Sequence, residues 1–280
     1  MPRDDAALLF AGTSQAYVTY RPGYPMALFD HMAAQLAFTP ETRVADLGCG
    51  PGTATIPLAE RAGTVLALDP NSEMLHAARE AAQRAGMGNI EFRHGHAEHL
   101  PEMDAGPLEH VVFGRSFHWT DRAAVVAMLD ALLPPHGAIV LLGPGRSEKG
   151  AWHRWPWDEA IREVRESFLG PERRAGTGTY SHPETGHEQV LEAGGFGWIE
   201  RYGFTEHVEY DLERVLGLQR SYSHSAERLF SGRYDEYLEA VRAAVTAACG
   251  PGPYRIDKRD SMVIARRPQR HPDSDAPEHP

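Results

Sequence analysis

Val44-Ala45-Asp46-Leu47-Gly48-Cys49-Gly50-Pro51-Gly52-Thr53 decides the fold of this chain. A short apolar run carries one acid, then gives way to glycine at three alternate positions, then to a hydroxyl residue and a helical pattern. Strand, tight turn and helix follow, and the turn lets backbone approach a ligand, because glycine has no Cβ and tolerates positive φ. A second acid, Asp69, ends the next apolar run. A carboxylate at the end of the second strand stands where it accepts hydrogen bonds from ribose hydroxyls. The two acids point to a nucleoside-containing cofactor, and the glycine spacing narrows its identity. The dinucleotide pattern G-x-G-x-x-G, begun at Gly48, needs glycine where this chain has Thr53, and begun at Gly50 it fails as well. The phosphate loop G-x-x-x-x-G-K-[ST] is not present at this turn. An acid just ahead of the glycines suits a cation, such as the amino group of an amino-acid moiety, better than a pyrophosphate.

Outward from this turn the same units repeat. Short strands at 44–48, 65–69, 90–94, 111–113 and 138–142 alternate with helical patterns at 53–62, 72–85 and 122–133. Such alternation means right-handed βαβ units and a parallel sheet with helices on both faces. Ser72 is the expected N-cap of the second of these helices and Gly86 its stop. Residues 1–40 read as a mostly helical segment broken at Arg21-Pro22-Gly23-Tyr24-Pro25, with Leu28, Phe29, Met32 and Leu36 at helical spacing. Residues 145–185, rich in Gly, Trp, Arg and His, read as a cap insertion with a helix over 157–169. Further helices are expected at 188–193, 211–222 and 234–248, an extended segment at 196–210 and a last strand at 260–266. The expectation is a single domain over 1–267, followed by a disordered tail at 268–280.

Composition bounds the function. The 280 residues suffice for one large α/β domain, and a formal charge of −11 argues against a general nucleic-acid binder, which neutralises phosphates with Lys and Arg. Cys49 and Cys249 are the chain's two cysteines, which make neither a disulfide framework nor a Cys-rich zinc site. The start is acidic and unlike a signal peptide, and no apolar run approaches membrane-spanning length. A soluble cytoplasmic protein without a membrane partner is therefore expected. His94, His96 and His99 crowd one segment, but without a supporting cysteine or well-placed carboxylate no metal is expected there.

Several stretches then carry a specific resemblance. The 46–52 segment resembles motif I of class I S-adenosylmethionine-dependent methyltransferases, and Leu68-Asp69-Pro70-Asn71-Ser72-Glu73-Met74 resembles their segment after strand two. Residues 92–100 are similar to the family's adenine-contacting stretch, and Gly114-Arg115-Ser116-Phe117-His118-Trp119 to a recurrent pattern after strand four. Tyr17-Val18-Thr19-Tyr20-Arg21-Pro22-Gly23-Tyr24-Pro25 resembles a subgroup of small-molecule enzymes that includes trans-aconitate methyltransferase-like proteins. The resemblance implies an α/β, Rossmann-like seven-stranded sheet, mostly parallel, whose last two strands form an antiparallel pair, with N-terminal helices and a helical cap after strand five. It implies S-adenosyl-L-methionine as cofactor. It places Asp46, Gly48 and Gly50 near the methionine moiety, Asp69 on the ribose, and Met74 and Ala97 at the adenine. Tyr17, Tyr20 and Arg21 close over the methionine end, Arg21 pairing its carboxylate, with Arg115 a second candidate there.

The implied reaction is in-line methyl transfer to a small organic acceptor in bacterial secondary metabolism, by a monomer or homo-oligomer. Positioning supplies much of the rate of such a displacement, and a base is needed only for an acceptor proton of high pKa. His118 is the catalytic candidate by its place after strand four, where ligands of open α/β sheets bind; a pocket-lining or structural role is the other reading. Trp152, Trp155 and Trp157 either roof an aromatic acceptor or pack the insertion onto the core. Tyr180 and Tyr222 are further acceptor-pocket candidates, and His153, His182 and His224 weaker bases. An NAD-dependent oxidoreductase is disfavoured by Thr53 and Asp46, and a non-catalytic S-adenosylmethionine-binding protein is not separated from the enzyme by sequence. A nucleic-acid methyltransferase would carry an Asn/Asp-Pro-Pro-Tyr type segment where Phe117-His118-Trp119 stands.

Overall fold

The computed structural model describes residues 14–145, 155–171, 174–175, 178–179 and 185–268. Trp152, His153, Tyr180, His182 and the tail from 269 onward lie outside the described residues.

Seven strands form one sheet: β1 (Arg43–Leu47), β2 (Thr64–Asp69), β3 (Ile90–His94), β4 (His110–Gly114), β5 (Ala138–Pro144), β6 (Trp198–Tyr210) and β7 (Tyr254–Arg266). Their order is β3-β2-β1-β4-β5-β7-β6. The first five are parallel, and β7 runs antiparallel to both β5 and β6. This is the expected Rossmann-like architecture with its closing antiparallel pair. The chain leaves β1 toward β2 on one side and returns to β4 on the other. A crevice therefore opens at the carboxyl ends of β1 and β4, where such sheets bind ligands.

The strands are short and apolar because both faces are covered. On one face Leu47, Leu66, Leu68, Val111 and Phe113 pack with Val125, Val126 and Leu129 of α5 (Arg122–Leu132, counted after α1–α4 below). On the other, Val44, Val65, Val112 and Val140 meet Leu28, Phe29 and Met32 of α2 (Met26–Gln35) and Leu58 of α3 (Thr55–Ala59). The remaining N-terminal helices are α1 (Ser14–Tyr20) and α4 (Ser72–Arg84).

Three local expectations are corrected. The helix expected over 53–62 is regular only over α3, because Pro57 has no N–H to donate to Thr53. Helical bonds continue on either side, from Ile56 N to Gly52 O at 3.1 Å and from Ala62 N to Leu58 O at 2.8 Å. The N-cap of α4 is Asn71, not Ser72: its side-chain oxygen accepts from the N–H groups of Glu73 and Met74. The last strand starts at Tyr254 rather than 260, so β6 and β7 pair from Tyr210↔Tyr254 onward while β5 joins only at Asp260.

That early start builds the cap. The outer halves of β6 and β7 run past the carboxyl end of β5 and carry a third apolar cluster. Trp157, Tyr210, Val215, Leu218, Phe230, Tyr237, Val241 and Tyr254 are among its buried members. Its helices are α6 (Asp158–Leu169), α8 (Leu212–Ser221) and α9 (Tyr234–Cys249), with α7 (His187–Ala193) on the sheet below. The described cap thus draws more on the chain between β6 and β7 than on the 145–185 stretch. A two-stranded ribbon pairs Arg174–Ala175 with Gly178–Thr179.

Candidate functional site

The glycine turn is stitched to the sheet before any ligand is considered. Gly48 N and Cys49 N both donate to Leu68 O, at 2.7 and 3.0 Å. Gly48 has φ +73°, and a Cβ there would lie 2.5 Å from Ser116 Cβ, on the loop after β4. This glycine lets the β1 and β4 loops touch. Gly50 has φ +54°, and a Cβ there would meet nothing within 4 Å. The space beside it is cavity.

Asp69 organises the floor of that cavity. One carboxylate oxygen accepts from Gly50 N–H and the other from Asn71 N–H, each at 2.8 Å. Each oxygen keeps a further lone pair. The side chain is 7% exposed, and burial lifts its pKa above the usual range against the two backbone donors. Asp46 is fully buried on β1. Its Oδ2 accepts from Thr55 Oγ1 at 2.6 Å, and its Oδ1 has no hydrogen-bond partner among the described residues. Burial pushes its pKa up to about 7, the Thr55 bond opposing and the Asp69 charge adding.

Two hollows open around these acids. The larger, an open space of about 790 Å³, is lined by Asp69, Asn71, Met74, His96, Ala97, Glu98, Ser116, Trp119 and Thr120 among others. The smaller, about 350 Å³, is lined by Pro22, Tyr24, Asp46, Cys49, Thr53 and Ala54. Both share Tyr17, Gly48, Gly50, Gly114 and Arg115, so they adjoin as one cleft open to solvent. Its long arm offers an acid for hydroxyls and an apolar wall, with Met74 2% and Ala97 7% exposed. Its short arm ends on the unsatisfied oxygen of Asp46. An adenosine carrying an amino-acid chain fits this donor and acceptor set: ring against Met74 and Ala97, ribose at Asp69, ammonium at Asp46.

Of the residues singled out from sequence, Tyr17, Asp46, Gly48, Gly50, Asp69, Met74, Ala97 and Arg115 line this cleft. Tyr20 does not: its ring packs on Gly217 of α8, where a Cβ would overlap it. Arg21 also turns to α8. Its Nε donates to Ser221 Oγ at 2.9 Å and its Nη2 to Ser221 O at 3.2 Å. Its guanidinium lies 4.7 Å from the Tyr17 ring centre and 4.1 Å from that of Tyr222. Tyr222 thus belongs to this latch and also stacks with His224. Trp155 stacks on Trp157 with centroids 5.5 Å apart and meets Tyr210 edge-on, so it packs within the cap. His118 sits in a short 3₁₀ turn, stacked on His187 and against Trp119. Trp119, rather than His118, is the residue of this pair that lines the cleft.

Sequence reasoning gave no cofactor role to Asn71, Tyr24, Ser116 or Asp260. Asn71 was legible as an Asx residue before a helix. Ser116, which donates to Leu47 O at 2.5 Å, and Asp260, which holds Arg115, act through long-range contacts that no local pattern carries. No group of three or more possible metal ligands occurs among the described residues, and no described helix is long and apolar enough to cross a membrane.

Comparison with known proteins agrees with this geometry. A methyltransferase-domain family matches residues 44–137. A curated methyltransferase of undetermined role from Mycobacterium tuberculosis is 33% identical over 152 residues, covering 54% of this chain and 58% of that protein. The chain therefore spans little more than half the length of such relatives. Nocamycin O-methyltransferase of Saccharothrix syringae is 38% identical over 110 residues, 38% of this chain and 39% of that one. Shorter matches include tRNA and 23S rRNA methyltransferases. Among solved structures, a candidate type II methyltransferase from Anaeromyxobacter dehalogenans shares the fold with TM-score 0.59 and 18% identity, over 89% of this chain and 98% of that one. Sheet order, cleft chemistry and these matches converge: residues 44–137 match a methyltransferase domain, and the chain is similar in sequence and fold to S-adenosylmethionine-dependent methyltransferases.

Proposed function

We propose that this protein transfers the methyl group of S-adenosylmethionine to a small organic acceptor in bacterial secondary metabolism. The observation that carries the reading is the continuous cleft with a carboxylate at each of two stations, Asp69 with lone pairs to spare and Asp46 with an unsatisfied buried oxygen. When bound, the cofactor supplies a methyl group activated by a sulfonium. The chain's own residues bind and orient. Asp69 accepts from ribose hydroxyls, Asn71 holds the local backbone, and Asp46 in its ionised form takes the ammonium. Tyr17 covers the junction of the two hollows and, with Trp119, keeps water from it.

Positioning is the main catalytic device in this scheme. His118 contributes by setting Trp119, against which it packs with centroids 4.5 Å apart. The small-molecule acceptor is supported by the net charge of −11, adverse to a polyanion, and by the likeness to the nocamycin enzyme. A transfer assay with methyl-labelled S-adenosylmethionine and fractionated bacterial extract tests it. Label should enter the low-molecular-weight fraction. Label confined to RNA or protein, or none with any fraction, would reject the acceptor class.

A further inference from the structure

Six buried side-chain atoms among the described residues have no hydrogen-bond partner, and three of them are phenol oxygens of the cap, on Tyr210, Tyr234 and Tyr237. Of the other three, that of Asp46 lies at the cleft, that of Asp260 is held by Lys258 Nζ at 2.6 Å, and that of His31 sits among the rings of Tyr202 and Phe204. A buried hydroxyl left unpaired is destabilising, so one that is kept calls for a use.

The three phenols are not equivalent. Tyr234 and Tyr237 pack on Phe230 within the cap, with ring centres 5.2 and 4.3 Å away. The charges acting on them, Arg220 and Glu227 on Tyr234 and Arg165 on Tyr237, belong to the cap as well. Tyr210 ends β6 and is fully buried. Its ring meets Trp155 edge-on at 5.2 Å and Trp157 at 5.8 Å, and the Arg214 guanidinium lies 4.5 Å from its centre. Burial pushes its pKa up to about 12, Arg214 and Arg115 opposing, Tyr222 and Glu206 adding, so the hydroxyl keeps its proton and is a donor. Arg115 lines both hollows. Because such influence fades with distance, Tyr210 is the phenol of the three that faces from the cap toward the cleft.

The ions along this junction cancel. Arg115 Nη2 donates to Asp260 Oδ1 at 2.9 Å, and Lys258 Nζ bridges Asp260 and Glu206, at 2.6 and 3.2 Å. Two cations and two carboxylates alternate and sum to zero. A charged group brought in beside them would be buried without a counterion, which is costly.

We infer that Tyr210 anchors the methyl acceptor, its hydroxyl donating to an uncharged oxygen of that molecule at the junction of cap and cleft. The inference rests on the small-acceptor reading above and narrows it to neutral oxygen-bearing compounds. Since the hydroxyl has no exposed area, the acceptor reaches it as the cap and the cleft lining part.

The probe is the low-molecular-weight fraction of the bacterial extract, split beforehand on anion and cation exchangers. Acceptor activity should appear in the flow-through of both. Tyr210→Phe keeps the ring and its packing. The amount of fraction needed for half-maximal transfer should rise about tenfold in this variant, the worth of one neutral hydrogen bond. Its maximal rate and its affinity for S-adenosylhomocysteine should not change. Its Tm should hold or rise, because an unpaired buried hydroxyl is gone. Tyr237→Phe should likewise hold or raise Tm, and should leave transfer as it is. Unchanged half-saturation in Tyr210→Phe, an equal rise in Tyr237→Phe, a Tyr210→Phe chain that fails to fold, or acceptor activity confined to the retained ionic fractions overturns the inference and leaves methyl transfer standing. No label in low-molecular-weight material with any fraction removes the acceptor reading, and the inference with it.

Discussion

If Asp46 takes the cofactor's ammonium as proposed, affinity should depend on pH through its buried carboxyl. Its carboxyl is buried, holds one hydrogen bond from Thr55 and has a pKa of about 7 in the free protein. Binding an ammonium requires the ionised form. From pH 6 to 7.5 the ionised fraction rises about eightfold for a group titrating near 7. The ligand's α-amino group, with a pKa near 8, loses about a quarter of its charge over the same interval. The product is an affinity rise of about sixfold, about 1 kcal/mol, followed by a fall above pH 8 as the amine deprotonates. At pH 7 about half of the Asp46 carboxyls are protonated, so binding should release about half a proton. Titration calorimetry of S-adenosylhomocysteine in buffers of different ionisation enthalpy measures that release directly. Asp46→Asn should abolish both the release and the acid limb, and weaken binding at pH 7.5 by about 10- to 100-fold. A flat affinity between pH 6 and 7.5 with no buffer-dependent heat would refute the assignment of Asp46 to the ammonium.

Other substitutions probe the frame. Gly48→Ala places a methyl group against Ser116 at a left-handed φ, and should lower stability by about 1–3 kcal/mol, read as a fall in Tm. His110 is buried, accepts from Ala138 N–H at 3.2 Å through Nδ1, and has its pKa lowered to about 4, chiefly by burial. The unfolded chain takes up this proton below about pH 6.5 while the folded chain refuses it, so stability should be full above pH 6.5. It should decline by about 3 kcal/mol on acidification to pH 4. Urea unfolding across that range checks it, and His110→Phe should remove this component. Arg21→Ala removes the latch between α1 and α8 and the cation packed on Tyr17, which lines the cleft. It should speed cofactor dissociation in stopped-flow measurements, and an unchanged dissociation rate would count against the latch.

The parts legible from sequence are those encoded within a few residues. The strand–turn–helix at 44–59, the acid at 69 and the strands β2, β4 and β5 each announce themselves by apolar runs bounded by glycine or polar residues. The cleft's floor was readable for the same reason, since Asp46, Gly50 and Asp69 lie on those short units. What sequence hid is long-range. The outer half of β7 alternates buried and exposed positions, but two of its buried residues are Lys258 and Asp260, so no apolar alternation marks a strand there. Their burial is rational only once Arg115 and Glu206 arrive from other strands. Arg21 likewise looks like a free cation in a turn until Ser221, two hundred residues away, takes its hydrogen bonds. Trp155 and Trp157 look like a roof until Tyr210 and Tyr254 close the cap cluster around them.

The most direct test of the cofactor assignment is calorimetry of the full chain against S-adenosylhomocysteine and, separately, NAD. Saturable one-to-one binding of S-adenosylhomocysteine, lost by about 100-fold or more in Asp69→Ala, with no NAD heat, is the expected result. Binding of NAD in preference, or S-adenosylhomocysteine affinity indifferent to Asp69, would contradict the account.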